Sequence, residues 1–156
     1  MTSTTASRHI RAARSAVYAA LVSADAVAAW RVPDGMTSVV HHFDPRDGGT
    51  FRVSLTYDTP AGSGKTAGRT DTYHGRFVAL VPDQRVVEEI EFETTDPNLQ
   101  GLMTITTSLV DADGGTDVEM FHDGLPPGVR PSDNDVGTRM ALDRLARLVE
   151  GPVAPA

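Results

Sequence analysis

The chain has 156 residues, a formal net charge of −7 and no cysteine. This length is sufficient for one domain with its own hydrophobic core. Without cysteine, the chain cannot form disulfides, use thiolate catalysis or bind metals through cysteine. Because nucleic-acid binders carry a clustered basic surface, the acidic balance predicts no nucleic-acid partner.

The beginning of the chain is small and polar. We expect residues 1–7 to form a disordered tail and residues 8–12 to form a short first strand. The sequence has no apolar run of 18 or more residues. Its start also lacks the basic and apolar blocks of a signal peptide, so we expect a cytoplasmic protein without a membrane span.

Residues 15–30 are predicted to form two short helices. Ser15 is the candidate N-cap of the first helix, and the polar break at residues 23–25 separates it from the second, which ends at Trp30.

A series of segments with alternating apolar and polar residues follows. The short connections between them are rich in Gly, Pro, Asp or Asn, as is typical of hairpins. We therefore predict an antiparallel meander of six strands, over residues 36–44, 49–58, 69–81, 85–94, 101–111 and 115–123.

Residues 59–68 read TPAGSGKTAG and contain the end of a phosphate-binding P-loop motif. The first glycine of that motif is missing, because Thr59 stands at its position. The flanking segments are strand-like, whereas a P-loop leads from a strand into a helix. The pattern favours a flexible hairpin loop over a nucleotide site.

The last element is an amphipathic helix of about 18 residues. Ser132 and Asp135 resemble a capping box at its start, and Gly151 and Pro152 provide a stop at its end. A single domain over residues 8–151, followed by a short tail at 152–156, accounts for the whole pattern.

The chain resembles the SRPBCC, or START-like, superfamily in four segments: IRAARSAVYAALVSADAVAAW, YHGRFVALVPDQRVV, MTITTSLVDADGGTDVEMFHDGLP and GTRMALDRLARLVE. It is most similar to the bacterial branch related to the co-chaperone that activates the heat-shock protein 90 ATPase. The resemblance implies an α+β helix-grip fold, in which a curved antiparallel sheet wraps around the C-terminal helix and encloses an elongated cavity. Relatives use this cavity for lipids, hormones, polyketides or other apolar ligands, and some are cyclases or hydrolases. This branch often has a Gly-Trp pair at the start of the last helix, where this chain has Gly137 and Thr138.

The alternation along each strand directs one set of side chains to the concave face of the sheet. Methionines among them would suit an adaptable pocket. The residues that we expect to contact a ligand are Trp30, Tyr57, Tyr73, Phe77, Glu88, Phe92, Met103, Met120 and Met140.

Two polar residues, Glu88 and His122, share the inward parity and are the candidate acid–base groups. A buried carboxylate must pair, take up a proton or line a wet cavity, unless the strand twists and brings Glu88 to solvent. His122 lies near a strand end and is either a ligand contact or a rim residue. Trp30 and the tyrosines, likewise, are either ligand contacts or core residues.

The pair His41 and His42 could indicate a metal site. Because neighbours on a strand point to opposite faces, we expect no shared ion and no metal. No cofactor is predicted, and the chain has no G-x-S-x-G nucleophile motif.

Three functions are compatible with this sequence. The first is the binding of a small apolar or lipid-like molecule between the sheet and the C-terminal helix. The second is a cyclase- or dehydratase-type enzyme that uses Glu88 or His122. The third is a co-chaperone-like interaction with a chaperone, for which the sequence has no partner-binding motif; a homodimer is compatible with the fold.

Overall fold

The computed structural model describes residues 2–58 and 70–150. It confirms the α+β helix-grip architecture, with one sheet of seven antiparallel strands in the order β1-β7-β6-β5-β4-β3-β2. The elements are β1 (Ser3–Ile10), α1 (Arg14–Leu21), α2 (Ala24–Trp30), β2 (Met36–Phe43), β3 (Thr50–Tyr57), β4 (Thr70–Val81), β5 (Arg85–Phe92), β6 (Met103–Ala112), β7 (Gly115–Asp123) and α3 (Pro131–Glu150).

The six predicted strands are confirmed, with ends that differ by at most two residues. Tight turns define their register. Asp113 and Gly114, for example, have φ angles of 43° and 76° between β6 and β7. Positive φ at both central residues is the geometry of the two-residue hairpin turn whose twist matches that of the strands. The P-loop-like residues 59–68 lie outside the described residues, but the strands on either side of them, β3 and β4, are antiparallel neighbours.

The first strand begins earlier than predicted. Residues 3–7 are part of β1, which pairs with β7 from Ser3 opposite Asp123 to Ile10 opposite Thr116. The expected tail is therefore wrong over these residues, since backbone pairing with β7 orders a segment whose side chains carry little apolar signal. Ala6 is its buried contribution to the core.

The two short helices are confirmed, but the predicted N-cap of the first is wrong. Helix α1 begins at Arg14 after Ala13, without a side-chain cap, so the N-cap role of Ser15 is wrong. Instead, the Arg14 side chain donates to Asp111 Oδ1 at 2.8 Å, which anchors the start of the helix. Before α2, the Ser23 hydroxyl accepts a hydrogen bond from the backbone N–H of Ala26.

Helix α3 begins at Pro131, one residue before the predicted cap. The backbone N–H of Asn134 donates to the carbonyl of Arg130, so Ser132 lies inside the first turn and the predicted capping box is wrong. Proline suits this first position because its missing N–H would have no intrahelical partner. The predicted stop at Gly151 and Pro152 lies outside the described residues.

The core lies between the sheet, the two short helices and the C-terminal half of α3. Fully buried side chains from each of these layers meet there, including Ile10, Val17, Trp30, Val118 and Leu145. Within the described ranges, every helix is too short or too polar to cross a lipid bilayer.

Candidate ligand-binding site

A cavity of about 590 Å³ lies between the sheet and the N-terminal half of α3. This volume is within the usual range for small-molecule sites, about 300–1,000 Å³. Its walls come from strands β2 to β7, the segment 31–34 after α2, the segment 128–130 and the first three turns of α3.

Most of the predicted inward side chains border this cavity. On the strands, the alternation of side chains between faces selected them, whereas Met140 lies on α3. The predicted residues found in the cavity wall are Tyr57, Tyr73, Phe92, Met103, Met120, His122 and Met140. Their contact with a ligand remains a prediction.

Trp30 is not in the cavity wall. It is 1% exposed, and its indole N–H donates to the carbonyl of Ala20 at 2.9 Å. This hydrogen bond ties α2 to α1, so the side chain joins the two helices to the core rather than closing the mouth of the cavity.

Phe77 is also part of the packed core. Its ring lies 5.0 Å from Phe51 and 5.5 Å from Phe43, measured between ring centroids. Gly75, two residues earlier on β4, leaves room for this cluster, since a Cβ there would lie 2.9 Å from the Phe51 ring. Aromatic packing, not ligand contact, explains the inward direction of Phe77.

Glu88 is buried, as the strand parity predicts, and it is paired. Arg31 Nη1 donates to both of its carboxylate oxygens, at 3.0 and 2.9 Å. The side chains of Arg31 and Glu88 are 16% and 6% exposed. Glu88 itself is not in the cavity wall, whereas Arg31 is. The ion pair therefore lies at the boundary between the cavity and the core.

Tyr73 and His122 border the cavity, and each has a buried polar atom without a partner. Within the described residues, the Tyr73 hydroxyl and His122 Nδ1 make no hydrogen bond. Burial lowers the pKa of His122 to about 4, and the charge of Arg31 adds to this effect. Burial raises the pKa of Tyr73 to about 12, although Arg31 opposes the rise. Both side chains are therefore neutral at pH 7.

Sequence reasoning missed most of the polar wall. Arg31, Asp34 and Arg130 lie in connections, where no periodicity assigns a direction to a side chain. Asp71 and Asp133 also border the cavity. For Arg31, the buried carboxylate of Glu88 was an indirect signal, because such a group requires a partner.

Contrary to our prediction, the side chains of His41 and His42 on β2 do not point to opposite faces of the sheet. The strand register shifts between Val40 and His42. His41 Nε2 lies 2.8 Å from Ser54 Oγ and His42 Nε2 lies 3.0 Å from Thr50 Oγ1, so both rings are on the outer face of the sheet. The expectation of opposite faces was wrong because a bulge interrupts the alternation. Within residues 2–58 and 70–150, no cluster of three potential ligands forms a metal site.

The chain is similar to known proteins over nearly its whole length. Residues 11–150 match the family described as "Activator of Hsp90 ATPase homolog 1-like protein". A crystal structure from Chromobacterium violaceum is 26% identical, with a TM-score of 0.85 over 97% of this chain and 100% of that chain. A structure from Rhodobacter sphaeroides is 25% identical, with a TM-score of 0.76 over 93% and 90%. The solution structure of the Aha1 dimer from Colwellia psychrerythraea shares the fold at 16% identity, with a TM-score of 0.68 over 96% and 97%. No curated protein matches the chain.

Proposed function

Because the chain belongs to the family of activator of Hsp90 ATPase homolog 1-like proteins, whose fold commonly binds hydrophobic ligands, we propose that it binds a small, mainly apolar molecule. The ligand would occupy the cavity beneath the N-terminal half of α3. The observation that carries this proposal is the cavity itself, about 590 Å³ in volume, where a helix lies over the sheet without filling the space between them.

The chemistry of the wall agrees with an apolar ligand. Met103, Met120 and Met140 contribute flexible, polarisable side chains that adapt to an irregular shape. Phe92 and Leu55 extend this apolar surface along the sheet. Apolar contact would supply most of the affinity, at about 25 cal/mol per Å² of apolar surface removed from water.

A fluorescent apolar probe tests the proposal. We expect N-phenyl-1-naphthylamine to bind the purified protein with enhanced emission. Gly137 offers a way to block the site, since it borders the cavity and a Cβ at this position would meet no atom within 4 Å. Gly137→Trp should therefore fill the space without a clash and reduce the probe affinity at least tenfold.

Arg147→Trp is the matched control, because it places the same side chain on the exposed surface of the same helix. It should leave the affinity unchanged. Absence of probe binding to the unmodified protein, or equal binding to both variants, would contradict the proposal. Native mass spectrometry of the protein purified under gentle conditions can in addition identify a retained ligand.

The site favours binding over acid–base catalysis. Glu88 is held by Arg31 at two oxygens and does not border the cavity, so it is poorly placed to exchange protons with a substrate. If a substrate is found and Glu88→Gln or His122→Ala abolishes its turnover, the enzyme alternative replaces simple binding.

A protein-interaction role has less support. The exposed large apolar side chains are spread over β2, β4, β6, β7, α3 and the residue before β6, and they do not suggest one docking patch in the described part of the chain. A homodimer like that of the Colwellia protein, a chaperone partner and a cytoplasmic location remain predictions.

A further inference from the structure

We infer that the ligand carries an uncharged hydrogen-bond acceptor, such as the carbonyl oxygen of a ketone, ester or amide, and that this oxygen accepts a hydrogen bond from the Tyr73 hydroxyl. The inference rests on the proposed binding function and specifies the chemical class of the ligand. It excludes a free carboxylate or phosphate as the buried end of the molecule.

The first argument is the missing hydrogen-bond partner. Tyr73 and His122 are each 7% exposed and both border the cavity, yet the Tyr73 hydroxyl and His122 Nδ1 have no partner in the described ranges. Leaving a buried polar group unpaired costs about 1–3 kcal/mol. A ligand that supplies an acceptor to the phenol would recover part of this free energy, so the unpaired hydroxyl favours a ligand with an oxygen at this point.

The register of the sheet brings Glu88 and His122 close together, on either side of β6. His122 on β7 is opposite Ile105 on β6, which is in turn opposite Glu88 on β5. Arg31 reaches the same place from the end of α2, and its charge acts on both Tyr73 and His122. Tyr73 lies in a different row of the sheet, opposite Phe92, four residues further along β5 than Glu88. Tyr73, His122 and Arg31 are thus polar members of a cavity wall that is otherwise rich in methionine and aromatic residues.

The second argument is charge. Arg31 is the cation whose charge acts on Tyr73 and His122, and Glu88 already compensates it through two hydrogen bonds. A ligand carboxylate would bring a second negative charge beside the ion pair, where burial makes an uncompensated charge expensive. Tyr73 can instead donate to a neutral oxygen without any change in charge.

The rest of the wall reinforces this preference. Asp34, Asp71 and Asp133 border the cavity, together with Arg31 and Arg130 as the cationic residues of the described wall. Acidic groups thus outnumber basic ones before Glu88 is considered. The whole chain has a net charge of −7, so its overall field also opposes an anion.

Competition with two matched compounds tests the inference. In this test, 2-decanone or decanoate competes with bound N-phenyl-1-naphthylamine at pH 7.5. The two compounds have ten carbons each, but 2-decanone carries a neutral carbonyl and decanoate carries a negative charge. We expect 2-decanone to bind at least tenfold more tightly than decanoate. This comparison needs no variant.

Tyr73→Phe removes the proposed donor and should weaken 2-decanone binding about two- to tenfold, the range for one hydrogen bond. The affinity of the probe, which has no carbonyl, should change less than the affinity of 2-decanone. Tyr18→Phe is the matched control, because Tyr18 lies on α1 and does not border the cavity. It should leave both affinities unchanged.

Glu88→Gln removes the opposing charge and should narrow the preference for 2-decanone over decanoate. If decanoate binds the unmodified protein as tightly as 2-decanone, or if Tyr73→Phe and Tyr18→Phe behave alike, the inference is wrong while probe binding still supports the proposed function. If the probe itself does not bind, the proposed function fails and the inference fails with it.

Discussion

The two halves of α3 lie over the same sheet in different ways. In the C-terminal half, Leu142, Leu145 and Ala146 are at most 1% exposed and pack into the core. In the N-terminal half, Gly137 and Met140 border a cavity of about 590 Å³. One continuous amphipathic helix therefore serves both as a core element and as the roof of a site, and its hydrophobic pattern alone does not distinguish the two roles.

The boundary between the packed region and the cavity passes between two consecutive residues at the end of α2. Trp30 is buried against α1, whereas Arg31 turns to Glu88 and borders the cavity. The Arg31 guanidinium carbon lies 5.8 Å from the centre of the Trp30 ring, a cation–π distance. The ion pair and the indole therefore pack together where the core meets the cavity.

Truncation should separate the two halves most clearly. Leu145→Ala leaves a void in a fully packed region and should lower the free energy of unfolding by about 2–5 kcal/mol. Met140→Ala enlarges a space that already exists and should cost about 1 kcal/mol or less. Urea denaturation followed by circular dichroism measures both. Equal losses at the two positions would show that the halves are packed alike.

The next largest effect is a dependence of folding stability on pH, which arises from His122 in the cavity wall. The pKa of His122 falls from 6.5 to about 4 in the folded chain, chiefly through burial. Between these values the unfolded chain binds more protons than the folded one, so stability decreases as the pH falls from 6.5 towards 4 and is unaffected by this group above 6.5. At about 1.4 kcal/mol per pKa unit, the loss approaches 3 kcal/mol.

His122→Gln should remove this part of the pH dependence. Urea unfolding at pH 7.5, 6.0 and 5.0 gives the difference between the two proteins, in which the other titratable groups largely cancel. His74→Gln is the control variant, because His74 lies on the outer face of the sheet, away from the cavity. Its Nε2 is 2.8 Å from Glu91 Oε1 and its Nδ1 is 3.1 Å from Glu93 Oε2. This variant should leave the pH dependence due to His122 in place. A slope that survives His122→Gln would place its origin elsewhere.

Local patterns predicted most of the architecture. The alternation of residues in β3 to β7 gave the strands and their inward faces, because a period of two has only one arrangement that buries the apolar side. The polar residues 3–7 were missed because their order comes from pairing with β7, which is distant in sequence. His41 and His42 were misplaced because a bulge is not visible in composition.

The candidate site was less predictable. Parity identified side chains such as Met103 and Met120, but it could not separate them from Phe77, which has the same direction and packs in the core. The difference depends on what lies above each position, and that is a property of the assembled helices. Arg31 lies after α2, where only the tertiary structure determines its contact with Glu88.

Substitutions that enlarge a side chain on α3 should change stability least, but they test most directly whether the space beneath the helix is empty. Ala146 is 0% exposed, so Ala146→Leu inserts atoms where no space is left. This overpacking should lower the free energy of unfolding by about 1–3 kcal/mol. Gly137→Leu adds a larger group in the N-terminal half of α3, where a Cβ meets no atom within 4 Å. It also replaces a glycine inside a helix, which is less favourable than alanine by about 0.5–1 kcal/mol. We therefore expect Gly137→Leu to raise the midpoint of thermal unfolding and Ala146→Leu to lower it. Changes of the same sign would mean that α3 rests on the sheet evenly along its length, and the cavity would then lose its role in the proposed function.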